Sequence, residues 1–179
     1  MTMTDNRQNT VIGTRQLRRE DPALLTGEAK FTNDLNLPGA LHLSILRSPH
    51  AHAAIVSIDT AAAKASPGVV AVYTGAELQS QWAGPMPCAW PVTPDMKNPP
   101  HFPLAASKVC YVGDGVVAVL ATSESASRDA LDLIEVEYKV LKAVVDVEEA
   151  LSDANIIHED LGTNKSYTWN LKIEATEGC

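Results

Sequence analysis

Between Arg47 and His52 the chain places an arginine, a serine and two histidines around a proline: Arg47-Ser48-Pro49-His50-Ala51-His52. A hydroxyl beside an imidazole is the pairing that a nucleophile and its base require. Two histidines one residue apart share a face wherever the backbone is extended, which makes them half of a metal site. Neither chemistry is complete. Nucleophile and base assemble in space, so adjacency in sequence carries little weight. Zinc takes three or four ligands, and His42, His101 and His158 have no companion spacing. A turn histidine and a surface histidine are the simpler description.

Gly113-Asp114-Gly115-Val116-Val117-Ala118 fits the dinucleotide fingerprint G-x-G-x-x-A and follows an apolar run. Pyrophosphate binding needs a helix N-terminus after the second glycine, whereas Val116 to Leu120 has the composition of a buried strand. A nucleotide site therefore stands only if a helix starts near Gly115. Glu135, Glu137, Glu148 and Glu149 could form acid pairs, but they fall on exposed faces, where solvated carboxylates are the ordinary outcome. Cys110 sits in a predicted strand, where a thiol is usually inert packing. Residue types alone thus assign no catalytic residue, no cofactor-binding residue and no metal ligand.

The elements that must position these residues belong to a chain of 179 residues, 45% hydrophobic and 20% charged, enough for one ordinary core. The net charge of −8 argues against nucleic acid as a partner, since that affinity comes from basic side chains on phosphates. No apolar run approaches the roughly 20 residues of a membrane helix. Arg18-Arg19 is followed by Glu20-Asp21-Pro22 and not by the apolar stretch of an export signal. Three cysteines, Cys88, Cys110 and Cys179, form no C-x-x-C pair. Reduced thiols and a cytoplasmic location are expected.

In chain order, residues 1–20 read as a polar N-terminal arm. Asp21-Pro22 opens a short helix that Thr26-Gly27 closes, and Ala29 to Leu35 suggests a strand. Leu41, Leu43 and Ile45 alternate with His42 and Ser44 as in a half-buried strand. After the turn at Ser48-Pro49 a second strand runs to Ile58, and Asp59-Thr60 caps a helix. These two strands are expected to pair. Val69 to Tyr73 is a further strand, and Thr74-Gly75-Ala76-Glu77 is a capping box. Residues 79–103 hold seven of the eleven prolines together with Trp82 and Trp90, so neither helix nor inner strand can run through them. This reads as a surface loop with two tryptophan anchors, an interface element or an insertion without a role. Val109 to Val112 and Val116 to Ala121 are expected to form a hairpin about Gly113-Asp114-Gly115. A helix capped by Thr122 or Ser123 follows, then a strand with Ile134, Val136 and Tyr138 inward, a strand at Leu141 to Val145, and a helix capped by Asp146. The domain is complete near His158, which leaves residues 159–179 as a tail without periodicity.

Three ordered blocks carry a resemblance: GEAKFTNDLNLPGALHLSILRSPHAHAAIVSIDTAAAKASPGVVAVYTGAEL, LAASKVCYVGDGVVAVLA and ALDLIEVEYKVLKAVVDVEEAL. In this order the chain resembles the N-terminal part of molybdenum hydroxylase large subunits, the family of xanthine dehydrogenase, aldehyde oxidase and aerobic carbon monoxide dehydrogenase. Arg47-Ser48-Pro49, His52-Ala53, Ile58-Asp59, Pro67-Gly68-Val69 and Tyr111-Val112-Gly113 are its most specific marks. The resemblance implies an α+β fold, the α/β hammerhead, with a mixed sheet and a few short helices over residues 21–158. It also implies an intact oxidoreductase that binds molybdenum through molybdopterin, often as the cytosine dinucleotide. Such an enzyme passes electrons through two 2Fe–2S clusters to FAD, commonly on separate subunits.

In the family a proline usually stands where this chain has Gly115, which would loosen the expected hairpin turn. The family also continues for several hundred residues that hold the dithiolene pocket and the catalytic glutamate, so a truncated large subunit is expected, inactive alone and without its own cofactor. Its expected partners are the remaining large-subunit domains, an iron–sulfur subunit and an FAD subunit. Arg47, Ser48, His50 and His52 are then candidates for interdomain contact, and Trp82 and Trp90 for an interface loop. A free-standing module that engages partner subunits through that loop is the alternative.

Overall fold

Prolines and cap residues fix where the elements begin. The computed structural model describes residues 12–35, 37–89 and 93–170, and the chain divides into two units, Met1–Ala40 and Leu41–Cys179. In the first, α1 (Asp21–Thr26) has proline in its opening turn and ends where Gly27 turns left-handed at φ 73°. The strand expected at Ala29 to Leu35 does not form. Thr32–Asp34 closes a 3-10 turn instead, with the Asp34 carboxylate accepting from Phe31 N at 2.9 Å. A short polar side chain that bonds its neighbour's backbone competes well with an unpaired strand.

The second unit runs β1 (His42–Arg47), β2 (Ala53–Asp59), α2 (Ala61–Ala65), β3 (Val69–Thr74), α3 (Gly75–Leu78), β4 (Lys108–Val109), β5 (Gly115–Ala121), α4 (Glu124–Leu131), β6 (Glu135–Val140) and α5 (Val147–Leu151). The α+β class stands, but the strands form two three-stranded antiparallel sheets, ordered β1-β5-β3 and β4-β2-β6, in place of one mixed sheet. Nor do β1 and β2 pair with each other. They enter different sheets, and so do β4 and β5, so the expected hairpin at Gly113 is absent.

The cause is local bonding. Asp114 accepts from Cys110 N through its carboxylate (3.1 Å) and donates its own N–H to Tyr111 O (3.2 Å), which curls the chain after a strand of only two residues. The expected strand at Leu141 to Val145 is missing for a similar reason. The Lys142 carbonyl accepts from His52 Nδ1 (2.8 Å) and from Asn155 Nδ2 (2.7 Å), so side chains take the place of a ladder partner.

The capping expectations hold in detail. Thr74 and Glu77 form a reciprocal box at α3, Ser123 accepts from Ala126 N at α4, and Asp146 accepts from Glu148 N and Glu149 N at α5. At α2 it is the Asp59 carboxylate that accepts, from Ala61 N at 2.8 Å, and the Thr60 hydroxyl does not cap.

One apolar cluster joins the two sheets and the helices. Val72, Val117 and Val119 of the first sheet meet Ala63 of α2 and Ala130 of α4, while Ala53 and Val109 supply the second sheet's share. Ser44 and Ser127 share a hydrogen bond of 2.8 Å across β1 and α4, which fixes the face that α4 covers.

Two glycines admit the segment 103–106 between elements. A Cβ at Gly75 would lie 2.2 Å from Ala105 O, and one at Gly115 would lie 2.9 Å from Pro103 O. Ala105 N donates to Gly115 O at 2.7 Å. Gly115 thus answers a close backbone approach at the start of β5 and does not loosen a turn.

Of the expected tail, residues 159–170 lie within the described residues. Asn164 receives Ile157 N on its Oδ1 (3.0 Å) and donates to Asn155 O (2.8 Å), while Asp153 accepts from Asn164 N (2.7 Å) and Thr163 Oγ1 (2.6 Å). The segment is therefore stitched back onto itself.

Candidate functional site

The turn that joins β1 to β2 is a knot of hydrogen bonds. Ser48 is buried at 2% exposure. Its N–H donates to Asp114 O (2.8 Å), its carbonyl accepts from Gly113 N (2.8 Å), and its Oγ accepts from His50 N (3.0 Å). The same hydroxyl favours the tyrosinate form of Tyr138 on β6, and the His50 ring stands edge-on to Tyr138 at 5.0 Å. His52 is buried at 3% exposure and donates Nδ1–H to the Lys142 carbonyl. Arg47 alone stays exposed, its guanidinium donating to Gly113 O at 2.8 Å.

The geometry takes the two histidines apart. His50 faces Tyr138 and His52 faces residue 142, because both precede β2 and lie in a turn where two-residue periodicity does not apply. Among the described residues no three His, Cys, Asp or Glu side chains gather as metal ligands. Ser48 Oγ is engaged with the His50 backbone, not with an imidazole.

Gly115 opens a strand, so no helix N-terminus follows the glycine pattern and nucleotide binding loses its basis. Glu137 accepts from Ser57 (3.2 Å) and Glu149 from Lys142 (2.6 Å), both exposed. Burial pushes the Cys110 thiol up, which keeps it neutral and unreactive.

Trp82 is half-buried and stacks on Phe102, with ring centroids 5.3 Å apart and planes 13° apart. Trp90 lies outside the described residues. A cleft of about 460 Å³ runs beside this stack, walled by Phe102, His101, Lys108, Cys110, Tyr111 and His158 among others. Lys108 does not serve a ligand there, since Nζ donates to Ile157 O (2.6 Å) and pairs with Glu159. Reading the sequence missed Asp114, which is 6% exposed and ties the loop before β5 to the Ser48 turn. An aspartate flanked by glycines is a turn former, and that was the signal available.

Among the described residues, several carboxylates and one histidine make stability depend on pH, Asp95 with its Thr93 bond among them. The Thr74 N–H holds Glu77 below its ordinary 4.5, Lys108 does the same for Glu159, and the Thr163 hydroxyl holds Asp153 below 3.8. Burial pushes His158 below 6.5. A depressed carboxylate stabilises the fold above its unfolded pKa and loses that contribution as pH falls through its folded one. A depressed histidine has the same sign, because below 6.5 the unfolded chain takes the proton first. Melting temperature is therefore expected to decline in two stages on acidification, the first beginning near pH 6.5 and the second below pH 4.5. Circular dichroism melts from pH 8 to 3 check this, with His158→Gln removing only the first stage.

Two antiparallel three-stranded sheets sharing one core with short capped helices define a small α+β domain. The chain matches the family described as "Aldehyde oxidase and xanthine dehydrogenase, a/b hammerhead domain" over residues 26–142, and it belongs to that family. It is 43% identical over 148 residues to the 6-hydroxypseudooxynicotine dehydrogenase complex subunit gamma of Paenarthrobacter nicotinovorans, covering 79% of this chain and 18% of that one. It is 39% identical over 155 residues to the nicotine 6-hydroxylase large subunit of the same organism, covering 86% and 19%.

Among solved structures, quinoline 2-oxidoreductase from Pseudomonas putida 86 superposes with a TM-score of 0.72 at 41% identity, over 84% of this chain and 19% of that one. A Cu,Mo-CO dehydrogenase superposes at 0.68 and 37%, over 83% and 18%. The chain thus spans under a fifth of the length of the relatives it matches, which are subunits of larger assemblies and include a molybdenum enzyme. Among the described residues no helix is long and apolar enough to cross a membrane.

The residues lining the cleft beside Phe102 do not fit a molybdopterin. Its phosphate requires free cations or a cradle of backbone N–H groups. The cleft offers one lysine already paired with Glu159, and Asp114 and Asp160 line it with negative charge.

Proposed function

We propose that this chain is the hammerhead domain of a molybdenum hydroxylase large subunit and that its role in the assembled oxidoreductase is structural. The observation that carries this is the match of one whole domain to less than a fifth of each relative. The names of two of the relatives, nicotine 6-hydroxylase and quinoline 2-oxidoreductase, favour an N-heteroaromatic substrate for the whole enzyme. Molybdopterin would sit on the rest of the large subunit, and electrons would leave through iron–sulfur and FAD subunits in the cytoplasm. Within the Ser48 turn, Arg47 is the exposed side chain left for a neighbouring domain, since Ser48 and His52 are buried inside this one.

The purified chain is expected to fold, to hold no molybdenum and to show no dye-linked oxidation of an aldehyde or a quinoline. Metal analysis and a dye-reduction assay check this. Stoichiometric molybdenum with turnover would replace the structural role by a catalytic one.

A further inference from the structure

The two sheets treat solvent differently. In β4-β2-β6 the cross-strand pairs on the face away from the core are Ala54 with Lys139, Ser57 with Glu137 and Asp59 with Glu135. Polar residues dominate that face, as on any antiparallel sheet that meets water. In β1-β5-β3 the register places Leu43, Leu120 and Ala71 in one row and Ile45, Ala118 and Tyr73 in the next. The opposite face of this sheet carries the Ser44 to Ser127 bond and the core under α4. Leu43 is 58% and Tyr73 39% exposed, and Ala118 and Leu120 on the central strand are only half-buried. The one charge on the Leu43 to Tyr73 face is Arg47 at the end of β1, and across its two rows the one polar side-chain atom is the Tyr73 hydroxyl.

We infer that this outer face of the β1-β5-β3 sheet is the surface on which the remaining body of the large subunit packs. The inference rests on the function proposed above. Its occupant is argued from two observations. The relatives carry more than four-fifths of their length beyond the matched domain, so a large partner surface accompanies the hammerhead in each of them. A face whose rows are apolar and whose one charge stands at its end has the chemistry of a permanent, core-like interface with a polar rim, whereas a transient contact with a separate electron-transfer subunit would be more polar.

The test grafts this chain in place of the matching part of the complete nicotine 6-hydroxylase large subunit. The graft is produced unsubstituted, with Leu43→Lys, with Tyr73→Lys, and with Ser57→Lys on the polar sheet as a control. Yield of assembled subunit by gel filtration and bound molybdenum by mass spectrometry are read for each. The unsubstituted graft and Ser57→Lys should assemble, and Leu43→Lys and Tyr73→Lys should lower the yield at least tenfold. The same substitutions in the 179-residue chain should leave its melting curve in place, which separates lost docking from lost folding. Equal assembly of all substituted grafts overturns the inference. So does a self-associating 179-residue chain that Leu43→Lys makes monomeric, since the face would then belong to a second copy. An unsubstituted graft that cannot assemble removes the proposed function itself, and this inference with it.

Discussion

Gly75→Ala is expected to be among the most damaging single-methyl changes in the chain. The added Cβ would sit 2.2 Å from Ala105 O, 2.6 Å from Ala105 C and 2.9 Å from Ala106 N. These are backbone atoms, so no side chain can swing aside. Moving segment 103–106 instead would strain the 2.7 Å bond from Ala105 N to Gly115 O and push Pro103 O further into the space over Gly115. Gly75 also opens α3 directly after the Thr74 and Glu77 box, so a backbone shift there would break both reciprocal bonds. Overpacking of this kind costs about 3 kcal/mol or more, which lowers the melting temperature by roughly 10 °C in a domain of this size. Gly84→Ala is the control, since nothing lies within 4 Å of its added carbon and its φ is ordinary. Thermal melts of the two variants decide the matter, and equal melting would mean that segment 103–106 is not clasped.

How much of this was legible in advance depended on whether a signal was local. Caps were legible because a side chain bonds a backbone two or three residues away: Ser123, Asp146 and the Thr74 box all sit where their neighbours demand. The strands β1, β2, β3, β5 and β6 were legible from alternation or from β-branched runs. Which strands pair was not. Gly113-Asp114-Gly115 has the composition of a hairpin turn, yet Asp114 bonds Cys110 N while Ser48 bonds both Gly113 N and Asp114 O, and the chain passes from one sheet to the other. The two Ser48 bonds join residues more than sixty apart, and no window along the sequence contains them. The same holds for Leu141 to Val145, whose ladder was pre-empted by His52 and Asn155. The family marks were legible, and two of them, Ser48 and His52, are residues that the fold buries in the turn between β1 and β2.

Ser48→Ala tests that last point. If the turn is an interior knot, removing one oxygen strands two backbone partners: the His50 N–H that donates to it at 3.0 Å and the His50 carbonyl that accepts from it at 3.1 Å. A polar group left unsatisfied in a buried site costs about 1 to 3 kcal/mol, so the variant should melt roughly 5 °C or more below the wild type. Tyr138 supplies a second readout. Burial already pushes its pKa above the ordinary 10, and the Ser48 hydroxyl partly offsets this by stabilising the tyrosinate. Loss of the hydroxyl should drive the Tyr138 titration higher still, as followed by ultraviolet absorbance. Arg47→Ala removes an exposed bond to Gly113 O and should change stability by no more than about 1 kcal/mol. A contact surface would give the opposite pattern in the isolated chain, with Ser48→Ala silent in both melt and titration. The hydroxyl that stands next to two histidines would then be free for a partner, and the knot would lie elsewhere.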